Sequence, residues 1–435
     1  MTAAEIRQQF FQLLAESGHS HWPAARLLPE GDNSVLFTVA GMQQFKDYYA
    51  KPALAPHCRL ATAQPVIRTI DIDEVGDNRH LTIFEMLGYF SFGYRADTPE
   101  ALDSNTPYFK KTAIELAYKF FFERLGIAIE RSYVTVYQGK EGVPADHQSA
   151  AIWQELDYPA DQIRFEGEDN FWALGVGSPC GPTTEIYVDG IEVGNVVFNQ
   201  YLMTGENQLE PLTELGVDTG LGLERIALVM QQAPDVYATD LLAPIVAKII
   251  ELAELASEPT PDQALKIRII ADHLKASAFL INDGVRPSNK AQGYILRRLL
   301  RRLGLATIQL GLSPNDLLAC LEPILTIYAD TGSLALDYGN ICLVMTEELN
   351  RFKVVLEHGQ AELEQMLKQT AEPKLTTDQV FQLFDTFGLP YEVIESLAQE
   401  RGVSLDKAAF EKRFAEHQET SRQTTGGTFA GGLAD

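Results

Sequence analysis

A chain of 435 residues, 46% of them hydrophobic, is long enough for two or three domains with real cores, which excludes wholesale disorder. Its net charge of −25 argues against a surface that binds nucleic acid all over, though not against a local basic patch. Cys58, Cys180, Cys320 and Cys342 are far apart and yield neither a disulfide framework nor a zinc motif; with a polar N-terminus and no apolar run of the ~20 residues a membrane span needs, a soluble cytoplasmic protein is expected.

Apolar residues at 6, 10, 11, 13 and 14 predict a helix over 3–16, ended by Gly18. His19 and His21 follow without a further ligand nearby, so they make no metal site. Val35 to Val39 reads as a strand, and Gly41 opens a short helix. Leu60–Arg68 and Leu81–Tyr89 read as two strands of a long hairpin, joined by the acidic connection Thr69–Asn78. Arg68 ends the first strand, Arg79 and His80 open the second, and Phe84 lies four residues beyond His80. Such cations at a hairpin mouth suit a triphosphate and Phe84 suits a base; alternatively Arg68 and Arg79 simply pair with Asp71, Asp73, Glu74 and Asp77.

Pro107–Leu125 has the pattern of an amphipathic helix stopped by Gly126. Tyr133–Tyr137 reads as a strand and Ile152–Tyr158 as a short helix. Asp169–Trp172 leads into Gly175–Ile186, read as a glycine- and proline-rich loop of the kind that carries function. Glu185–Asp189 and Glu192–Tyr201 read as strands. Strands that follow one another with few helices between them predict an antiparallel sheet with helices packed on it, an α+β arrangement. From about residue 240 the chain turns helical, over 241–255, 264–281 and 291–303 and onward to about 418, with breaks near 311–314 and 388–390. Two domains are expected, 1–240 and 241–435, the last part from about 420 being linker-like.

Two stretches carry chemistry. Asp218-Thr-Gly-Leu-Gly-Leu-Glu-Arg225 reads as a strand running into a helix. Gly220 and Gly222 leave the backbone open to a ligand, and Arg225 offers a planar cation to a base or phosphate; the plainer reading is a glycine turn before an ordinary helix. From Gly284 to Asn315 there is no acid but six cations, of which Arg297, Arg298, Arg301 and Arg302 would share one helix face. That face suits phosphate contact; the alternative is a helix neutralised by acids of its neighbours.

These pieces together resemble the class II aminoacyl-tRNA synthetases. Arg68 with His80-Leu-Thr-Ile-Phe84 is similar to their motif 2, and Asp218–Arg225 to motif 3. Longer stretches resemble the N-terminal half of the alanyl-tRNA synthetase family: Leu36–Asp47, Phe84–Gly93, Asp169–Trp172, Pro179–Ile186, Ala271–His273, Pro287–Asn289, Tyr294–Arg298 and Phe384–Gly388. The likeness runs over essentially the whole chain. It implies a class II antiparallel sheet flanked by helices, then an all-α tRNA-recognition region. It implies that ATP and alanine form alanyl-adenylate, with Mg2+ bridging the phosphates, and that alanine passes to an alanine tRNA marked by G3·U70. Arg68 and Arg225 are then catalytic. Arg68, Arg79, His80, Phe84, Met86, Glu185, Gly222 and Arg225 hold ATP, with Arg225 stacked on adenine opposite Phe84. Arg68, Trp172, Asn195, Val197, Asp218 and Gly220 hold alanine, Asp218 taking the ammonium and Val197 limiting side-chain size. Asn289, Glu392 and the arginines at 297, 298, 301 and 302 face tRNA.

The chain departs from the family pattern in three places. Its motif 2 loop is the short acidic form. Glu392 stands where the family's partner of Asn289 is an aspartate. The editing domain, with its zinc ligands, and the C-terminal oligomerisation segment are absent, so a monomeric fragment is expected; Gly431–Asp435 resembles the lead-in to the editing domain. Two other functions compete: a paralogue that passes an adenylated amino acid to a carrier protein or small amine, and a catalytically inactive binding module. Intact Arg68, Arg225, Asp218 and Trp172 weigh against the inactive module, and Asn289 with the basic face weighs against the carrier-type ligase.

Overall fold

The structure is a computed structural model and describes residues 1–29, 35–77, 80–97, 99–102, 105–140, 142–173, 175–205, 208–329, 336–368 and 374–424. The chain divides into two bodies. The first comprises 1–31, 37–67 and 83–244, and the second 32–36, 68–82 and 245–435. This differs from a single cut near residue 240, because the connection within the motif 2 hairpin belongs with the helical body. The reason lies in that body's own contacts. Ile72 and Val75 are buried, Arg302 donates to the carbonyls of Ile72 and Val75, and Arg268 to that of Gly76 (3.3 Å).

The first body is built on nine strands: β1 (Ser20–His21), β2 (Arg59–Ile67), β3 (Ile83–Tyr94), β4 (Ser132–Tyr137), β5 (Ile163–Glu166), β6 (Phe171–Ala173), β7 (Pro179–Val188), β8 (Ile191–Gly205) and β9 (Gln208–Gly222). Their order is β1-β2-β3-β9-β8-β7-β4-β5, with β6 also pairing with β7. Every pairing is antiparallel except β1 with β2 and β4 with β5, which are parallel. The expected antiparallel sheet is present, with one parallel pair toward each edge. Helices α1 (Ala3–Glu16), α2 (Lys46–Ala50), α3 (Lys110–Tyr118), α4 (His147–Glu155) and α5 (Leu223–Met230) accompany it. β3 is buried along most of its length, as a central strand should be.

Local chemistry explains where elements differ from the sequence expectation. Val35–Val39 is irregular: the amide of Thr38 donates to Leu27 and its carbonyl accepts from Ile67, single bonds rather than a ladder. The helix expected over 107–125 begins at Lys110 and changes at Lys119 to a wider π turn that seats Phe120 and Phe121 in the core. α4 begins at His147, earlier than expected, because Asp146 caps it by accepting from the Ser149 amide (3.1 Å). The supposed loop over 175–186 is largely strand β7. Its glycines and prolines are tolerated because the register shifts between Cys180 and Thr183, a bulge.

The second body is helical: α6 (Ala243–Leu252), α7 (Pro261–Asn282), α8 (Ala291–Gln309), α9 (Pro314–Ala319), α10 (Leu321–Tyr328), α11 (Tyr338–Lys368), α12 (Thr377–Asp385), α13 (Tyr391–Gln399) and α14 (Lys407–Thr424). α7 starts at Pro261, ahead of the expected 264, because Thr260 and Gln263 form a capping box. Leu296, Leu299, Leu300 and Leu303 of α8 are fully buried. A second cluster gathers Phe352, Leu363, Phe381, Leu389, Tyr391 and Phe410. Among the described residues no helix is long and apolar enough to cross a membrane.

Candidate functional site

Strand alternation places the first body's candidate residues on one face of the sheet. Glu185 on β7 pairs with Asn195 on β8, and Asn195 with Gly220 on β9, so three candidates form one row across the sheet. One step along, Val197 pairs with Asp218. Gly222 pairs with Met86 on β3, and Phe84 is two residues before it on the same face. Trp172 on β6 pairs with Gly181 and packs against the cluster of Phe45, Tyr49, Phe90 and Phe92. The sheet therefore carries Phe84, Met86, Trp172, Glu185, Asn195, Val197, Asp218, Gly220 and Gly222 on neighbouring strands of the first body.

The glycines act here through closeness rather than unusual dihedrals. A Cβ on Gly220 would lie 3.1 Å from the Met86 sulfur and 3.2 Å from the Asn195 amide oxygen. Gly222 caps α5 in extended conformation, and a Cβ there would meet the Arg225 side chain at no less than 3.8 Å. Arg225 follows on the first turn of the helix. Its guanidinium donates to the Glu192 carboxylate (2.9 Å) and carbonyl (3.2 Å), which sets its direction while leaving its side chain 42% exposed. The neighbouring Glu224 carboxylate accepts from the Glu85 amide (2.9 Å), and Glu85 is held in turn by Arg7 at 2.6 and 3.0 Å. This fixes the start of α5 against β3.

Two carboxyls are strongly perturbed. Burial pushes Asp218 up to about 7, against a backbone hydrogen bond from Thr219; among the described residues no ion pair offsets the charge of its carboxylate. Glu185 is also pushed up to about 7, by burial first and then by Glu192. It accepts from the Tyr187 hydroxyl (2.8 Å), and Thr135 donates to it at 3.5 Å. A carboxyl lifted by burial and by a second acid beside it would be relieved by a cation. Among the described residues no group of three or more acid, histidine or cysteine ligands could hold a metal by itself.

The second body holds Arg68 and His80; Arg79 lies outside the described residues. Arg68 is exposed and its amide donates to the Thr82 carbonyl (3.0 Å). His80 Nδ1 is 2.6 Å from Asp77, which also accepts the His80 amide (2.8 Å). The amide of Thr82 donates to Asp272 (2.8 Å), whose other oxygen meets His273 Nδ1 at 2.8 Å. Asp272 is 1% exposed and His273 fully buried.

The free basic face expected on α8 is not there. Arg298 bridges Asp73 and Glu392. Arg301 donates to Glu348 (3.0 Å) and to the Gly388 carbonyl, and Arg302 to the carbonyls of Ile72 and Val75. Arg297 donates to the carboxamide oxygen of Asn289, which is itself exposed. The helix is enclosed by leucines, so its arginines reach sideways to acids and carbonyls of the same body. Asn289 and Glu392, the expected tRNA readers, are thus each held by one of two adjacent arginines.

Residues that sequence reasoning passed over include Tyr49, whose hydroxyl donates to the Val217 carbonyl (2.9 Å) beside Asp218. Tyr187, Glu192 and Asp272 were also passed over. Tyr187 lay two residues from Glu185 on a strand, a signal that was present. The partners of Arg225 and Thr82 lay 33 and 190 residues away in sequence, where no local pattern reaches.

A family model described as class II tRNA synthetases (A) matches residues 5–430. The chain is similar to the alanine–tRNA ligase of Rubrobacter xylanophilus, 37% identical over 98% of this chain and 50% of that protein. It is 36% identical to the alanine–tRNA ligase of Borrelia hermsii, over 100% of this chain and 75% of that protein. The chloroplastic/mitochondrial alanine–tRNA ligase of Populus trichocarpa is 38% identical over 93% of this chain and 42% of that protein. The chain spans about half the length or less of two of these relatives and three quarters of the third.

Proposed function

This chain belongs to the class II tRNA synthetases, in their alanine–tRNA ligase branch, and on that footing we propose that it activates alanine with ATP and transfers it to the 3′ end of alanine tRNA. The observation that carries the reading is the buried Asp218 facing Val197, in step with the row of Asn195 and Gly220. A carboxylate without a cation, next to a side chain that limits space, suits a small amino acid presented by its ammonium.

In the first step an oxygen of the alanine carboxylate attacks the α-phosphorus of ATP. The bond from that phosphorus to the bridging oxygen breaks, and pyrophosphate leaves. No protein nucleophile is needed, since such a transfer rests on positioning and charge stabilisation. Arg68 neutralises charge on the α-phosphate and the entering carboxylate. His80 and Arg79 serve the outer phosphates. Arg225, directed by Glu192, stacks on adenine opposite Phe84, with Met86 and Gly222 below. Trp172 and Asn195 orient the alanine carboxylate. Magnesium, when bound, would offset phosphate charge, and Glu185 would be the carboxylate to help hold it. In the second step the terminal ribose hydroxyl of tRNA attacks the acyl carbon and AMP leaves. Asn289, with Arg297, and Glu392, with Arg298, read the acceptor stem at G3·U70.

The test is alanine-dependent ATP–pyrophosphate exchange together with charging of alanine tRNA transcripts bearing G3·U70 or G3·C70. Exchange plus charging of only the G3·U70 transcript is expected. Charging of both transcripts would remove the reading role of Asn289 and Glu392. Exchange without charging would favour transfer to another acceptor, and no exchange would sink the activation step.

A further inference from the structure

Tyr187 has no part in the mechanism above, yet it stands beside both acids of the site. The register pairs Tyr187 on β7 with Tyr133 on β4 and with Glu192 on β8, so the three form one row across the sheet. Glu185 precedes Tyr187 by two residues and shares its face. The Tyr187 hydroxyl donates to one oxygen of Glu185 (2.8 Å), and Thr135 donates to the same oxygen from farther away, at 3.5 Å.

The ring that carries this hydroxyl is held in place. Tyr133 and Tyr187 stack with centroids 4.6 Å apart and planes 6° apart. The Arg164 guanidinium lies 3.5 Å over the Tyr133 ring, which leaves Tyr133 clamped between a cation and Tyr187. Arg164 comes from β5, where it pairs with Thr135, so three strands build the clamp. A use for it lies next to it on the sheet. Glu192 is near enough to Glu185 for its charge to disfavour ionisation there. It is also the acid that takes the Arg225 guanidinium, through its carboxylate (2.9 Å) and its carbonyl (3.2 Å). A second carboxylate freed from its own donor would compete for that guanidinium.

We infer that Tyr187 is a positioning residue for the nucleotide: its hydroxyl keeps Glu185 to itself and so leaves the Arg225 guanidinium to Glu192, with its plane free for the base. The inference rests on the ligase reading of the site, in which Arg225 stacks on adenine. Without the hydroxyl, Glu185 draws Arg225 out of line. The hold on the base then weakens more than the hold on a phosphate chain.

The test is calorimetric titration with ATP and with inorganic tripolyphosphate in metal-free buffer, so that no cation on Glu185 enters the comparison. It is repeated on Tyr187→Phe, Glu192→Gln and the double variant. Tyr187→Phe keeps the stacked ring and removes only the hydroxyl, so the fold is kept. Its Kd for ATP should rise about tenfold, the size of one hydrogen bond net of water, while its Kd for tripolyphosphate stays in place. Glu192→Gln should show the same loss confined to ATP. In the double variant the two losses should fall short of adding, because both act through Arg225. An unmoved ATP Kd in Tyr187→Phe, an equal loss for tripolyphosphate, or fully additive losses would each overturn the inference. Alanine-dependent pyrophosphate exchange by the unmodified protein is run alongside, and its absence while ATP still binds counts against the ligase reading alone.

Discussion

Replacing Asp218 with asparagine should make the ligand-free protein more stable at alkaline pH while removing its hold on alanine. Asp218 is 5% exposed, and burial lifts its carboxyl from an ordinary 3.8 to about 7. Below pH 4 the folded and unfolded chains both hold the proton, and the group contributes nothing to stability. Between pH 4 and 7 the unfolded chain has lost the proton and the folded chain keeps it, so stability falls as pH rises. Above pH 7 the full cost of a buried, unpaired carboxylate is present. At 1.36 kcal/mol for each tenfold, the lift corresponds to ~4 kcal/mol at most. Asparagine matches the protonated carboxyl in shape and has no such cost. Half of the limit, ~2 kcal/mol, raises Tm by roughly 4–8 °C for a body of about two hundred residues.

Scanning fluorimetry of ligand-free unmodified and Asp218→Asn protein at pH 4 and pH 8 measures this. The two should melt together at pH 4 and separate at pH 8, the variant melting later. In pyrophosphate exchange the same variant should lose about a hundredfold in kcat/KM for alanine, the value of a charge-assisted hydrogen bond. On the proposed activity, the unmodified protein should show an alanine KM that rises about tenfold per pH unit below pH 7, as the carboxyl takes up a proton and no longer attracts an ammonium. A variant that melts earlier than the unmodified protein at pH 8 would refute the stability argument, and one that keeps its alanine KM would refute the assignment of Asp218.

Three further outcomes follow from single contacts. Gly181→Ala would bring a Cβ within 1.8 Å of the Phe198 carbonyl oxygen, so the β7 bulge must move; urea unfolding should show a loss of about 3 kcal/mol or more, in the range of severe overpacking. Asp272→Asn weakens the acceptor of the Thr82 amide and the partner of His273. It should cost about 1.5–3 kcal/mol and, because the Thr82 carbonyl holds the Arg68 amide, lower kcat for exchange while leaving the alanine KM in place; an unchanged kcat would separate Asp272 from Arg68. Lys110 lies 2.5 Å from Asp146, both nearly buried, and Lys110→Met leaves that carboxylate without its cation, held only by the Ser149 amide and hydroxyl, at a cost of about 3–5 kcal/mol. Adding Asp146→Asn to Lys110→Met should recover part of this in the same urea assay.

What could be read from the sequence and what could not divide along contact range. The hairpin strands, the run of β9 into α5 and the spacing of Asp218, Gly220 and Arg225 are local, and period-two alternation carries them to one face of the sheet. The roles of Trp172 and Asn195 came from resemblance, since nothing in their own neighbourhood distinguishes them from ordinary strand residues. The stretch 175–186 was misjudged because glycine and proline signal a loop unless a bulge absorbs them, and the bulge depends on Phe198 of a later strand. The arginines of α8 show the limit most clearly. Their spacing correctly implied a cluster of charge, but spacing is silent on what neutralises it. Glu348, Glu392 and Asp73 lie 47, 94 and 225 residues from their arginines. A charged residue on a helix lowers its energy with whichever partner the fold brings near, and an enclosed guanidinium left unpaired would be far costlier than one facing water. The leucines that bury α8 therefore also decide that its arginines are spent inside, on Asp73, Glu348, Glu392 and backbone carbonyls, rather than left as a bare basic surface.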